Sequence, residues 1–391
     1  MTGKTTACAP ALPLFLSSSF CFFLACFVPY AFYCACGAEG GGDHTHEGAK
    51  VKGMFVFGSS LVDNGNNNFL PNTMAKADYL PYGIDFPLGP SGRFTNGRNV
   101  VDFLGDLLHL PSLIPPFADP STRGSRIIHG VNFASAASGI LDTTGSVAGR
   151  VMSMNEQIKK FEEITVPELE AEVGRRSRES LLHEYLFMVG TGGNDYSLNY
   201  FLRKSNSHHN TTVSDLQAFT AILTASLSSQ LKKLYKLGGR KFVVISVNPI
   251  GCSPGLRLEK KERCVGVLNL AARLFNQRLK SLVDEMKPQM PGSSLVYVSS
   301  YNIIMDIISH PLSKGISDVR NACCEVESKE EGGNGILCRK GGRVCANRNL
   351  HLFFDGLHPT EAVNFHIATK AFASTHPHEV YPVNVKKLAQ L

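Results

Sequence analysis

Charged side chains are few in this sequence, 18% of 391 residues, and they never gather into a long run. The densest basic stretch is Gly174-Arg175-Arg176-Ser177-Arg178. A net charge of +6 dispersed in this way describes a solvated surface, and no nucleic-acid recognition motif accompanies it. Nucleic acid is therefore excluded as a partner. Internal repeats are missing too, which excludes a repeat architecture. The cysteines lack the paired C-x₂₋₄-C knuckles of structural zinc sites, so no metal centre is read from them. Tryptophan is absent altogether and excludes nothing.

Hydrophobic residues make up 43% of the chain, enough for a sizeable core, and the length suits one large α/β unit with insertions. The amino end stands apart. Lys4 is the only charge before Glu39, Leu12 to Phe32 is almost wholly apolar, and the small residues Ala35-Cys36-Gly37-Ala38 follow. Residues 1–38 thus have the layout of a secretory signal peptide, cleaved near Gly37 or Ala38. An uncleaved membrane anchor is the competing reading of so long an apolar stretch. After cleavage no membrane span is expected. Residues 39–50 are glycine-rich and read as a flexible tail, and 51–391 as one domain.

Cysteine usage agrees with a secretory route. Cys8, Cys21, Cys26, Cys34 and Cys36 fall in the leader, which leaves Cys252, Cys264, Cys323, Cys324, Cys338 and Cys345. An even number beyond a signal peptide suits disulfides formed in an oxidising compartment. Cys252 and Cys264 flank a polar loop and are expected to pair. The other four then pair among themselves, with adjacent Cys323 and Cys324 taking different partners. Asn210-Thr211-Thr212 is a glycosylation sequon in a polar stretch read as surface loop.

Five runs rich in Val, Ile, Phe and Tyr predict strands: Val51–Phe57, Val131–Ala134, Tyr185–Val189, Lys241–Val247 and Ser294–Val298. Their continuous apolar character predicts burial on both faces, as in a parallel sheet. Helices are predicted at Asn99–His109, Val213–Leu237, Val265–Met286 and Glu361–Ala373. Ser214 and Thr360 are the expected caps of the second and fourth, and Gly238-Gly239 the stop of the second. This alternation predicts a doubly wound α/β domain with a central, mostly parallel five-stranded sheet. Pro81–Gly97 and Ala322–Asn349 read as long loops.

In open parallel sheets, ligands and chemistry gather at the carboxyl ends of the strands. Here Phe55-Val56-Phe57 leads into Gly58-Ser59-Ser60, Val131–Ala134 into Ser138-Gly139, and Tyr185–Val189 into Gly190-Thr191-Gly192-Gly193-Asn194-Asp195. Far downstream, Asp355-Gly356-Leu357-His358 sets a carboxylate and an imidazole three residues apart. A hydroxyl, two donor-bearing turns and an Asp/His pair are the parts of an acyl-transfer site. Ser60 is read as the nucleophile and His358 as the base that accepts and returns its proton. Asp355 fixes the imidazole tautomer and stabilises the imidazolium. The N–H groups of Ser60 and Gly139 and the Asn194 amide are read as oxyanion donors.

Each has a plainer alternative: Ser60 as a turn former or N-cap, Asp355 as a helix cap, Gly192–Asp195 as an ordinary turn. Their joint placement favours catalysis. Phe69, Leu70, Phe86, Phe94, Phe117, Tyr196, Tyr200 and Phe201 form a pool for an apolar acyl pocket, although aromatic loop residues often simply pack. Gly251-Cys252-Ser253-Pro254-Gly255 matches the G-x-S-x-G nucleophile elbow. Pro254 has no N–H to offer an oxyanion, so the segment is read as a stapled loop.

The blocks Phe55–Asn68, Gly130–Ser135, Gly192–Asp195 and Phe353–Ala362, taken in that order, resemble the plant GDSL esterase/lipase family within the SGNH hydrolase superfamily. The similarity spans roughly Val51 to Ala373. It implies a three-layer α/β/α, flavodoxin-like fold and ester hydrolysis through an acyl-enzyme, with no metal and no cofactor. The family's nucleophile corresponds to Ser60, its oxyanion residues to Gly139 and Asn194, and its acid and base to Asp355 and His358. Secretion to the extracellular space or cell wall is implied as well. Two departures stand out. The name-giving Asp is Ser59 here, which keeps an acceptor oxygen but loses a charge and predicts a less firmly ordered Ser60 loop. Ala136-Ala137-Ser138-Gly139 carries fewer glycines than many relatives.

The leading reading is a secreted serine carboxylesterase or lipase acting on an acyl-ester small molecule, lipid or polymer. An acyltransferase passing the same acyl group to an alcohol, as in polyester assembly, is the second. A non-catalytic extracellular lipid- or glycan-binding protein is the third, and retention of every catalytic-type residue counts against it.

Overall fold

Strands β1 (Gly53–Gly58), β2 (Tyr185–Gly190), β3 (Lys241–Ile245) and β4 (Ser294–Val298) lie side by side in that order, all parallel. A separate parallel pair is formed by β5 (Asp318–Ala322) and β6 (His351–Phe353), and β7 (Val380–Tyr381) closes the main sheet antiparallel to β4. This computed structural model describes residues 51–174, 177–205, 211–257, 264–328 and 333–391. The expected leader (1–38), tail (39–50) and sequon Asn210 lie outside the described residues. Among those described, no helix is long and apolar enough to cross a membrane.

The unbroken apolar strands feed two cores, because side chains alternate between faces with a period of two. Met54, Val56, Leu186, Met188, Val243 and Ile245 point to one face. There they pack with helices Val100–Leu107, Ser300–Ser309, Glu361–Ala373 and Val385–Gln390. Phe55, Phe57, Phe187, Val189, Phe242 and Val244 face the other way, against helices Met154–Lys160, Val213–Lys236 and Gly266–Met286. Phe161 joins this side, its ring 4.8 Å from that of Phe55 and 5.7 Å from that of Phe187. The result is the three-layer α/β/α arrangement.

Three local readings need correction. Val131–Ala134 does run beside β1: the Val56 N–H donates to the Val131 carbonyl, and the Phe133 N–H to that of Val56. It forms only single bridges, however, from Asn132 to Val56 and to Pro116. Pro116 has no N–H with which to extend a ladder. The fifth strand is instead β7. Helix Val213–Lys236 is capped by Thr212, not Ser214; Thr212 accepts from the Asp215 N–H while the Asp215 carboxylate accepts from that of Thr212. At Thr360 the hydroxyl donates to the His351 carbonyl at 2.8 Å and makes no cap bond. The disulfides are Cys252–Cys264, Cys323–Cys345 and Cys324–Cys338, within the expected preference.

The loop after β1 is irregular, and side chains supply the bonds that strands elsewhere make. Asp63 is fully buried. Its Oδ1 accepts the N–H groups of Gly65 (2.7 Å) and Asn66 (2.9 Å), and its Oδ2 that of Ala136 (2.9 Å). Asn66 Nδ2 donates to the carbonyls of Asn132 and Ala134, and Asn67 Nδ2 to those of Ala75 and Ala136. Behind them Arg93 grips Asp102 bidentately at 2.7 and 2.8 Å, both side chains buried. Asn99, the cap of helix Val100–Leu107, donates to the Asp63 carbonyl and to Asn64 Oδ1. Helix, loop and sheet are thereby fastened together.

Arg93→Met would leave the Asp102 carboxylate buried without its cation, and a loss of about 3–5 kcal/mol is expected in urea unfolding; a loss under about 1 kcal/mol would show that the pair is not structural. Asp63 yields a signed pH dependence. Burial raises its pKa from 3.8 to about 6, against three N–H donors and Arg93, which lower it. Between those pH values the folded protein holds a proton that the unfolded chain has released, so this group's contribution to stability declines as pH rises from about 4 to about 6. Asp63→Asn removes that decline. Its destabilisation should be smaller at pH 7 than at pH 4, by up to about 3 kcal/mol in denaturant titrations; equal losses at both pH values would contradict the assignment.

Candidate active site

Ser60 lies two residues past the end of β1. Gly58, at φ +144, makes the turn possible, since a Cβ there would sit 2.2 Å from the Gly190 carbonyl oxygen. The Ser59 N–H donates to that same oxygen and the Val62 N–H to the Ser59 carbonyl, lifting Ser60 to the rim of the sheet. Asp63, four residues after Ser59, carries the buried carboxylate of this loop.

Across 298 residues of sequence, Ser60 Oγ meets His358 Nε2 at 2.8 Å. The other ring nitrogen, Nδ1, lies 2.8 and 3.0 Å from Asp355 Oδ2 and Oδ1. Asp355 is fully buried and its remaining acceptor sites are filled. Oδ1 takes the N–H groups of Leu357 and His358 at 2.8 and 2.7 Å, and Oδ2 takes the Tyr82 hydroxyl at 2.7 Å. Asp355 therefore shapes the turn carrying His358 rather than capping the following helix. With the carboxylate on Nδ1, the hydrogen-bond pattern assigns the proton there and leaves Nε2 as the acceptor facing Ser60.

Tyr82 is the group that sequence reasoning missed at this point. It is fully buried, and burial with the Asp355 charge beside it pushes its hydroxyl pKa well above 10, so it stays a donor. Its oxygen also accepts the Cys338 N–H at 3.1 Å. No local motif marks a tyrosine 273 residues away from the carboxylate it serves. Phe94 packs on the imidazole with ring centroids 5.0 Å apart.

Asn194 follows β2 and lines the same cleft as Ser60 and His358. Its Nδ2 donates to the Ser138 carbonyl at 2.9 Å, which ties it to the neighbour of Gly139. Gly139 is not part of the cleft lining, but among the described residues none accepts a hydrogen bond from its N–H or from that of Ser60. Position 139 has no room for a side chain. A Cβ would meet Asp195 Oδ2 and Thr144 Cγ2 at 2.5 Å each, so the close approach is to protein rather than to a ligand. Asp195, buried and with its pKa raised by that burial, accepts the N–H groups of Ile140 and Leu141 and the Thr144 hydroxyl.

The cleft wall is aliphatic where an aromatic pool had been expected. Leu61, Val247, Ile250, Ile304 and Leu357 line it with Phe353, and none of the eight pooled residues does. Tyr196, Tyr200 and Phe117 belong instead to the core behind β2. Ser253 of the rejected elbow does reach the cleft, yet the imidazole is bonded to Ser60. Its loop is stapled by Cys252–Cys264 and buttresses the histidine turn, the Gly255 N–H donating to the Gly356 carbonyl at 2.7 Å.

A family model described as GDSL-like lipase/acylhydrolase matches residues 54–371. GDSL esterase/lipase At1g71250 of Arabidopsis thaliana is 41% identical, over 88% of this chain and 90% of its own. GDSL esterase/lipase At5g08460 of the same plant is 40% identical, over 90% and 91%. GDSL esterase/lipase 7 is 38% identical, over 86% and 92%. With most of both chains covered at this identity, the protein belongs to the GDSL-like lipase/acylhydrolase family of ester hydrolases.

Proposed function

We propose that residues 51–391 form one domain of a secreted serine esterase or lipase that cleaves carboxylic esters through an acyl-enzyme. The observation that carries this reading is the unbroken hydrogen-bonded chain Ser60–His358–Asp355, open to a cleft at the Ser60 end and sealed at the other. His358 Nε2 takes the Ser60 proton as Oγ attacks the ester carbonyl carbon. The tetrahedral oxyanion is received by the N–H groups of Ser60 and Gly139 and the Asn194 amide. Collapse expels the alcohol, which leaves with the proton from His358. Water then attacks the acyl-enzyme in the same manner, giving the acid and restoring Ser60. Throughout, Asp355 holds Nδ1 and stabilises the imidazolium, while Tyr82 keeps its side chain in place. Secretion is supported by the layout of residues 1–38 and by three disulfides, which persist in oxidising compartments.

A fluorophosphonate probe should label the native protein and not Ser60→Ala, whose ester turnover falls by roughly 10⁴–10⁶. An adduct that persists in the variant removes Ser60 from the mechanism. Asp355→Asn keeps the shape of the turn but presents an amide where Nδ1 needs an acceptor. Its kcat is expected to fall by about 10⁴ with the fold retained, and steady-state kinetics on a soluble ester would disprove the role if the loss were under about tenfold.

A further inference from the structure

Beside the reacting groups, the cleft holds polar side chains that nothing in the protein uses. β2 and β3 are neighbours in register, Val189 opposite Val244, so the residues just beyond their ends emerge together. Thr191 follows β2, and Asn248 and Ser253 follow β3; all three line the cleft with Ser60, Asn194 and His358. Thr191 is 7% exposed and its Oγ1 has no hydrogen-bond partner, and Asn248 Oδ1 is likewise buried and unpartnered. Ser253, 2% exposed, adds a second hydroxyl to the same lining. Buried polar groups are nearly always paired, because an unpaired one keeps its desolvation cost. Two such atoms facing one cleft, with the Ser253 hydroxyl beside them, mark a place where a ligand supplies the partners. Among the described residues no Asp, Glu, Lys or Arg lines the cleft, so a charged headgroup or free carboxylate finds no counter-charge among them. Leu61, Ile304 and Phe353 complete the cleft with apolar surface for a hydrocarbon chain.

We infer that Thr191, Asn248 and Ser253 form a polar subsite, and that the substrate is a neutral ester bearing a free hydroxyl near the scissile bond. This deepens the ester-hydrolase reading and rests on it. The hydroxyl belongs either to the alcohol half, as in a polyol ester, or to the acyl half, as in a hydroxy-acid ester. In both cases it donates to Asn248 Oδ1 and exchanges hydrogen bonds with the two protein hydroxyls. A site built to pair a hydroxyl discriminates against the analogue lacking it, whereas an apolar slot does not.

Carbon-matched ester pairs test this. The alcohol arm compares monohexanoylglycerol with propyl hexanoate, and the acyl arm compares ethyl 3-hydroxyhexanoate with ethyl hexanoate. In the native protein kcat/KM should favour the hydroxylated member of at least one pair by about tenfold or more. The preferred arm tells which half carries the hydroxyl. That preference should fall at least about threefold in Thr191→Val and in Asn248→Leu, and Ser253→Ala should lower it too. Thr191→Ser, which keeps the hydroxyl, should retain it. Equal kcat/KM within both pairs, or a preference that survives all three substitutions, overturns the subsite. Binding of unreactive ethers separates this from a failure of the hydrolase reading. If none of the esters is cleaved, calorimetry with 1-O-hexylglycerol against hexyl propyl ether, and with ethyl 3-hydroxyhexyl ether against ethyl hexyl ether, still decides: tighter binding of the hydroxylated member of either pair supports the subsite, and equal binding within both pairs overturns it.

Discussion

Asp63 and Asp195 are buried carboxylates, and each joins two loops by accepting main-chain N–H groups from the segment 136–141. Asp63 binds its own turn at Gly65 and Asn66 together with Ala136. Asp195, next to the oxyanion amide of Asn194, binds Ile140 and Leu141. Strand ladders end at Gly58 and Gly190, so beyond those residues the sheet no longer fixes the backbone. A carboxylate accepting several N–H groups is a strong, directional substitute for the missing ladder. Its burial is costly, as the raised pKa values of both residues record. The positions of Ser60, Gly139 and Asn194 relative to one another follow from these two anchors. Gly139 must be glycine because the Asp195 carboxylate occupies the space of a Cβ.

The acid–base turn is fastened by different means. Gly255 donates to the Gly356 carbonyl, Gly356 to that of Ile336, and Cys338 to the Tyr82 hydroxyl that in turn holds Asp355. Cys252–Cys264 and Cys324–Cys338 staple the two loops that make these contacts. Each staple lies outside the turn it supports, and neither reaches the reacting atoms. The disulfides thus confine irregular segments whose few hydrogen bonds would otherwise have to order long loops unaided. His358 is held from three sides, by Asp355, by the Phe94 ring and by its own carbonyl accepting the Phe354 N–H.

What the sequence made legible was whatever has a short period or a local pattern. Four parallel strands and the helices Gly266–Met286 and Glu361–Ala373 emerged from apolar runs and helical spacing to within a residue or two. The β7 strand was hidden because two residues cannot display a period, and Val131–Ala134 misled because an apolar run beside β1 was stopped by Pro116 on its far side. Thr212 lost to Ser214 as a cap because both residues suit the role and only the reciprocal bond with Asp215 separates them. At the site, Ser60, Asn194, Asp355 and His358 stood in recognisable clusters. Tyr82 did not, and Asp63 and Asp195 lay inside such clusters without revealing their roles, which are contacts made over long separations. Of the aromatic residues near the motifs, Tyr196, Tyr200 and Phe117 serve the core and Phe94 packs on His358, while aliphatic residues such as Leu61, Val247, Ile304 and Leu357 line the cleft.

The distribution of charge around the imidazole limits how the site can act. Asp355 is sealed behind His358, with Tyr82 and two N–H groups on its oxygens, and the cleft in front is lined by neutral side chains. Positive charge appearing on the imidazole is therefore met by a fixed anion on its far side. Negative charge appearing on a substrate oxygen is met, in the proposed mechanism, by dipoles alone: the N–H groups of Ser60 and Gly139 and the Asn194 amide. In a cleft of low polarity such dipoles are effective provided that they do not have to reorient. Rigid loops are consequently a requirement of the chemistry and not merely of stability. That requirement explains why carboxylates as costly to bury as Asp63 and Asp195 stand directly behind the proposed donors instead of being replaced by apolar packing.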